Sequence, residues 1–215
     1  MSPVQAGTIR LQGVGGAFNV PVQSRKEGQW GTVIRQQYDF SCGAAAVATL
    51  LTYHYDLPTR EDDVLQAMVK TGNQRQIQAV GFSMLDMKRY LDNRGFRSDG
   101  FRVKLDKLAA IGVPGITMID INGYKHFVVV KGVDDKRVLI ADPALGTRVL
   151  PRASFEKMWN GAVLAARESM RIAQQHFNEE EDWRVQPKAP VGEGVNRSGI
   201  GTFTLTLPSR HEFGR

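Results

Sequence analysis

Apolar positions recur at helical spacing through the first half of the chain and run alternately or continuously through the second. Between residues 42 and 55, Ala44, Val47, Ala48 and Leu51 fall three and four apart in an Ala- and Leu-rich run without proline. That pattern predicts a helix with one apolar stripe. Ser41, just before it, is a suitable N-cap. Pro58 predicts the opening of a second helix, with Glu61, Asp62 and Asp63 in its first turn and Gly72 as its stop. Residues 73–82 have no clear period and read as a surface loop. Ser83-Met84-Leu85-Asp86 reads as a capping box for a third helix through Asn93, ended by Gly95. Residues 105–111 predict a short fourth helix.

From Gly112 the pattern turns to strands. Residues 115–121 are β-branched and apolar, and Asn122-Gly123 is the strongest hairpin signal in the chain. Residues 124–133 form the return strand. A second turn at 132–136 leads to a third strand, 137–142, closed by Pro143. Val149-Leu150 continues the meander. Ser154 then starts a helix through about Gln175, with Phe155, Met158, Trp159, Val163 and Leu164 apolar. Helices followed by antiparallel strands give an α+β architecture. One domain is expected over residues 30–175. Residues 1–29 read as a loosely held extension with an edge strand at 18–22. Residues 176–215 read as a polar extension in which 202–207 alternates like a strand.

Composition narrows the partners more than the fold. The 215 residues are 42% hydrophobic and 23% charged, ordinary for a globular domain. A single cysteine excludes an internal disulfide and any multi-cysteine metal site, and no cofactor is expected. The formal charge of +6 is dispersed, without a basic stretch interleaved with aromatics, so no nucleic acid is expected as a partner. No apolar run reaches the ~20 residues of a membrane span. Residues 1–20 lack the apolar core of a secretory signal.

The candidate chemistry centres on that one cysteine. Cys42 falls in the first helical turn, where the helix dipole favours a thiolate, the reactive form. Gln36, six residues upstream, supplies an amide donor on the loop that feeds the helix. His126 stands in the apolar strand Tyr-Lys-His-Phe-Val-Val-Val and needs a partner for its ring. Asp142 ends the next strand. A hairpin folded at Asp134 sets the two nearly opposite, where a carboxylate can fix the imidazole tautomer. A small buried thiol and a structural His-Asp pair are the plainer readings of the same residues. His54, His176 and His211 read as packing or polar-surface histidines.

Gln36-Gln37-Tyr38-Asp39-Phe40-Ser41-Cys42-Gly43-Ala44-Ala45 resembles the Q-x5-C-G-A-A signature of the bacteriocin-processing, double-glycine cysteine peptidases. Gly123-Tyr124-Lys125-His126-Phe127-Val128-Val129 resembles their His block, and Ile140-Ala141-Asp142-Pro143 their D-P block. The resemblance covers residues 30–165. It implies a papain-like cysteine peptidase that cleaves after Gly-Gly or a similar small pair. Carried over, it makes Cys42 the nucleophile, His126 the general base and acid, Asp142 the orienting carboxylate and Gln36 an oxyanion-hole donor. Ser41 stands where the exporter-fused members commonly have Asp. Without transporter segments, the chain is similar to the stand-alone peptidases of functional-amyloid secretion operons. That implies a bacterial periplasm or cell-envelope location, an exported protein or peptide substrate, and secretion or amyloid-system partners. Transglutaminase-like acyl transfer and a leader-peptide-binding module are the alternatives.

Overall fold

The computed structural model describes residues 7–13, 16–22 and 25–185, with side chains from residue 28 onward apart from 78 and 79. The strand expected at 202–207 lies outside these residues. The lead-in is more regular than expected. β1 (Gly7–Gly13) and β2 (Gly16–Val22) pair antiparallel as a separate ribbon, and α1 (Arg25–Trp30) follows.

The helical half contains α2 (Cys42–His54), α3 (Glu61–Thr71), α4 (Gln74–Val80) and α5 (Met84–Asn93). Pro58 lies outside α3, whose N-cap is Arg60; Glu61 is its first residue. The segment expected as a surface loop is α4, because the Asn73 side chain caps it by accepting from the Gln76 N–H at 3.3 Å. The capping box is present in full: Ser83 and Asp86 exchange side-chain and backbone hydrogen bonds at the start of α5.

Six antiparallel strands make the second half, in the order β3-β8-β4-β5-β6-β7. They are β3 (Ser98–Arg102), β4 (Gly115–Ile121), β5 (Tyr124–Val133), β6 (Arg137–Asp142), β7 (Gly146–Pro151) and β8 (Trp159–Ala166). The helices α6 (Leu105–Ile111) and α7 (Arg152–Met158) are threaded among them; α8 (Met170–Gln175) and α9 (Glu180–Trp183) close the described chain. The long helix expected from Ser154 is corrected here. It ends at Met158, and Trp159–Ala166 is instead the strand between β3 and β4.

Two apolar layers cover the sheet. Phe127, Val129 and Ala141 pack with α2, whereas Val128, Val130 and Ile140 pack with Leu105, Leu108 and Phe155 of α6 and α7. A strand covered on both faces reads as a continuous apolar run, which is the sequence of β5. The α2 helix carries no single stripe. Every residue from Cys42 to Leu51 is buried, as is His54. A Cβ on Gly43 would meet the Phe82 Cβ at 3.3 Å and the Phe127 ring at 3.7 Å. The small Gly-Ala-Ala-Ala run therefore lets the start of α2 approach the sheet closely.

The C-terminal segment is anchored through Lys131, which is fully buried. Its Nζ pairs with Asp182 Oδ2 at 2.8 Å, and Asp182 Oδ1 accepts from Thr32 at 2.7 Å. Asn178 Oδ1 accepts the Val133 N–H at 2.8 Å.

Candidate active site

The β4–β5 hairpin brings His126 to the site. Asn122 (φ 54°) and Gly123 (φ 90°) form a two-residue turn between Ile121 and Tyr124, both left-handed as a type I′ turn requires. His126 follows three residues later and is 3% exposed. Its Nε2 lies 2.8 Å from Asp142 Oδ1, and Asp142 is fully buried. The pairing differs from the register expected. Ala141 is opposite Val129, so continuing that register sets Asp142 level with Val128, with a bulge between Val130 and Gly132. His126 therefore reaches Asp142 diagonally, a separation that a long ring can span.

Asp142 is held from several sides. Its Oδ1 also accepts the N–H groups of Ala144 (2.9 Å) and Leu145 (3.2 Å), and its Oδ2 lies 3.2 Å from Arg148 Nη1. Burial opposes the carboxylate, but His126, the Ala144 N–H and Arg148 together keep it below the ordinary carboxylate value. Burial likewise opposes an imidazolium at His126. The hydrogen bond to Asp142 and the interaction with Cys42 outweigh it and raise His126 to about 9.

With Nε2 engaged by Asp142, the remaining ring nitrogen of His126 is Nδ1. It is buried and has no hydrogen-bond partner among the described residues. Cys42 opens α2 at 8% exposure and lies within electrostatic reach of the ring. Tyr124 stacks on His126 at 6.0 Å between centroids and is 55% exposed, so it covers the imidazole from the solvent side. Tyr38 and Phe40, also exposed, stack on each other at 5.7 Å along the loop before Cys42.

Gln36 is tethered to the same region through its backbone, whose N–H donates to the Pro143 carbonyl at 3.0 Å. Its side-chain Nε2 donates to the Tyr38 carbonyl at 3.0 Å, and its Oε1 is buried without a partner. Ser41 occupies the N-cap position of α2 but makes no side-chain cap. Its hydroxyl turns to Glu61 instead. Sequence reasoning missed Arg148, Tyr124 and the loop contact of Glu61. Only Glu61 carried a signal, as an acidic residue in a first helical turn. Among the described residues no group of three or more His, Cys, Asp or Glu side chains could hold a metal ion.

A thiol at the start of a buried helix, facing a histidine-carboxylate pair on an antiparallel sheet, is the layout of a papain-like cysteine peptidase. Residues 31–170 match the model of the Peptidase C39 family, and the chain belongs to that family. It is 40% identical over 163 residues to a "Probable functional amyloid protease FapD" of Pseudomonas aeruginosa, covering 75% of this chain and 72% of that protein. The like-named protein of Pseudomonas fluorescens is 39% identical over 165 residues, covering 76% and 73%. Among solved structures, a double glycine motif protease from an AMS/PCAT transporter, in complex with the leader peptide, aligns with a TM-score of 0.51. It is 28% identical and covers 62% of this chain and 88% of that one. The peptidase domain of Streptococcus ComA, a bi-functional ABC transporter, shares the fold at a TM-score of 0.54 and 19% identity, covering 63% and 98%. The protein is therefore a cysteine peptidase, a hydrolase with the papain-like fold. No helix among the described residues is long and apolar enough to cross a membrane.

Proposed function

We propose that the protein cleaves a peptide bond after a Gly-Gly-like pair in an exported protein, as part of functional-amyloid biogenesis at the bacterial cell envelope. The observation that carries this reading is the state of His126: Nε2 bonded to Asp142, Nδ1 buried and free, and Cys42 beside the ring. An imidazole raised to about 9 is protonated at neutral pH, the form that pairs with a thiolate. The Cys42 sulfur attacks the scissile carbonyl carbon. The oxyanion meets the Cys42 backbone N–H and the second N–H of the Gln36 amide, the first being given to Tyr38. Imidazolium Nδ1–H protonates the leaving amine as the C–N bond breaks. His126 then takes a proton from water, whose oxygen attacks the thioester and releases the acid. Asp142 holds the ring in one orientation throughout. Tyr124 stacks on His126, and Tyr38 and Phe40 stack on each other on the loop that leads into Cys42; aromatic bulk beside the reacting groups would favour small residues at the scissile bond. The FapD names of the relatives support an amyloid-system substrate, and the leader-bound transporter protease supports a peptide ligand.

The test is to mix the protein and its Cys42→Ala variant with peptides spanning Gly-Gly sites of exported amyloid subunits, and to read the products by mass spectrometry. Fragments ending in Gly-Gly from the wild type alone are expected. Intact peptides throughout, or equal cutting by Cys42→Ala, would overturn the assignment.

A further inference from the structure

We propose that Glu61 is a positioning residue that sets the oxyanion-binding loop, residues 36–41, from the start of the neighbouring helix. The inference rests on the peptidase reading above. Glu61 opens α3 and is 3% exposed. Both its carboxylate oxygens accept the Gln37 N–H, at 3.2 and 3.1 Å, and Oε1 also accepts the Ser41 hydroxyl. It therefore grips the loop just after Gln36 and just before Cys42. Among the described residues, the loop's other hydrogen bond to a separate element is Gln36 N–H to Pro143. Every other bond of the loop is internal or to α2: Tyr38 N–H to the Ser41 hydroxyl, whose one proton lies within reach of both Glu61 and the Tyr38 carbonyl, Ser41 N–H to Tyr38, Gln36 Nε2 to Tyr38, and Ala45 N–H to Ser41. Residues 37–40 are themselves exposed, and apart from the Phe40 ring against Phe82 the loop is held by these hydrogen bonds. Pro143 and Glu61 are thus the two fixed posts between which the loop is strung.

Both proposed oxyanion donors ride on this span. The Gln36 amide sits at one post and the Cys42 N–H one residue past the other. A buried carboxylate is a strong choice for the second post, because charge-assisted hydrogen bonds are short and directional. The first-turn position of Glu61 adds the favourable helix dipole. Releasing the post would let Gln36 and the Cys42 N–H drift apart, while the Cys42–His126–Asp142 arrangement, held by α2 and the sheet, stays in place. The defect should therefore fall on transition-state stabilisation and spare thiol reactivity.

The experiment uses the full chain as wild type, Glu61→Ala, Glu61→Gln, Gln36→Ala and the Glu61→Ala/Gln36→Ala double variant. Turnover is measured on a fluorogenic peptide ending in Gly-Gly-aminomethylcoumarin, and Cys42 alkylation with iodoacetamide. Loss of a single oxyanion donor lowers kcat by about 10²–10³-fold, so partial misplacement should cost about 10–100-fold. Glu61→Ala is expected to show that loss in kcat with KM and the alkylation rate within about twofold of wild type. Glu61→Gln, which keeps an acceptor, should recover most of it. The double variant should be no worse than the poorer single, since both act through one loop. An unchanged kcat in Glu61→Ala, a parallel fall in alkylation, or additive losses would each overturn the proposal. Hydrogen exchange gives a readout that needs no substrate. Amides of residues 37–42 should exchange at least tenfold faster in Glu61→Ala, and unchanged exchange refutes the anchor. Should the wild type cleave nothing, the peptidase reading falls while exchange still decides the loop's dependence on Glu61.

Discussion

His126 Nε2 and Asp142 Oδ1 stand 2.8 Å apart with both side chains sealed from solvent; the β6–β7 turn brings the Ala144 and Leu145 N–H groups, and β7 brings Arg148, to the same carboxylate. The carboxylate is thus fixed before it fixes the imidazole. His126→Ala is expected to abolish peptide cleavage and leave the fold intact by circular dichroism. Asp142→Asn keeps the shape but removes the charge that favours the imidazolium and permits the wrong tautomer. Its kcat should fall by at least about 10²-fold, with a smaller change in KM. Wild-type turnover in both variants would reduce the pair to a structural role.

Cys42 is the only thiol in the chain, so iodoacetamide has one site. Complete alkylation is expected to abolish cleavage. The reaction should be aided by the His126 ring, which lies within electrostatic reach of the sulfur. His126→Ala should lose that advantage. Rates of alkylation by mass spectrometry across pH 5–9 check both statements.

Two buried histidines pull stability in opposite directions. His54, at the far end of α2 beside a cavity of about 240 Å³, has both ring nitrogens without a hydrogen-bond partner among the described residues. Burial above all, with Lys131 and His176 nearby, holds it down at about 3. The unfolded chain takes up a proton there as pH falls below ~6.5 and the folded one does not, so stability drops from pH 6.5 toward 3. His126 is raised to about 9, so its contribution is full below ~6.5 and is lost as pH rises through 9. Each acts with a limiting slope of ~1.4 kcal/mol per pH unit. Urea midpoints should peak near pH 6.5, and His126→Gln should flatten the alkaline arm.

A cut after residue 175, the expected end of the domain, would remove Asp182 and leave Lys131 buried without its carboxylate. Breaking such a pair typically costs about 3–5 kcal/mol. We propose a folded unit running from residue 28 to at least 185. Truncation after 185 should hold the wild-type urea midpoint, whereas truncation after 175 should lower it sharply or yield no folded protein.

What could be read in advance was what local rules decide. Asn122-Gly123 demanded a tight turn, Ser83 and Asp86 demanded a cap, and the runs at 105–111, 115–121 and 137–142 kept their periods. The failures are tertiary. Trp159, Val163 and Leu164 fit a helical stripe as well as a strand, and only the gap between β3 and β4 decided for a strand. The Gln-rich stretch 74–80 hides its helix because it lacks an apolar period and only the Asn73 cap marks its start. At the site, Cys42, His126 and Asp142 were legible because each is chemically unusual where it stands. Arg148 and Glu61 were not, since a charged residue on a strand or helix looks like surface until folding brings its partner.

The type I′ turn at Asn122-Gly123 has a consequence for how this chain can vary. Tyr124 and His126 are counted out from that turn, and successive strand residues point to opposite faces. Inserting or deleting one residue between His126 and Phe127, which the core holds in register, turns the imidazole to the other side of the sheet, away from Asp142. A paired change, two residues at a time, keeps the orientation and only lengthens the reach. Length variation between the ring and the core is therefore expected to be filtered by parity: an odd change there should abolish cleavage by the route proposed above, whereas an even one should keep the ring on its face.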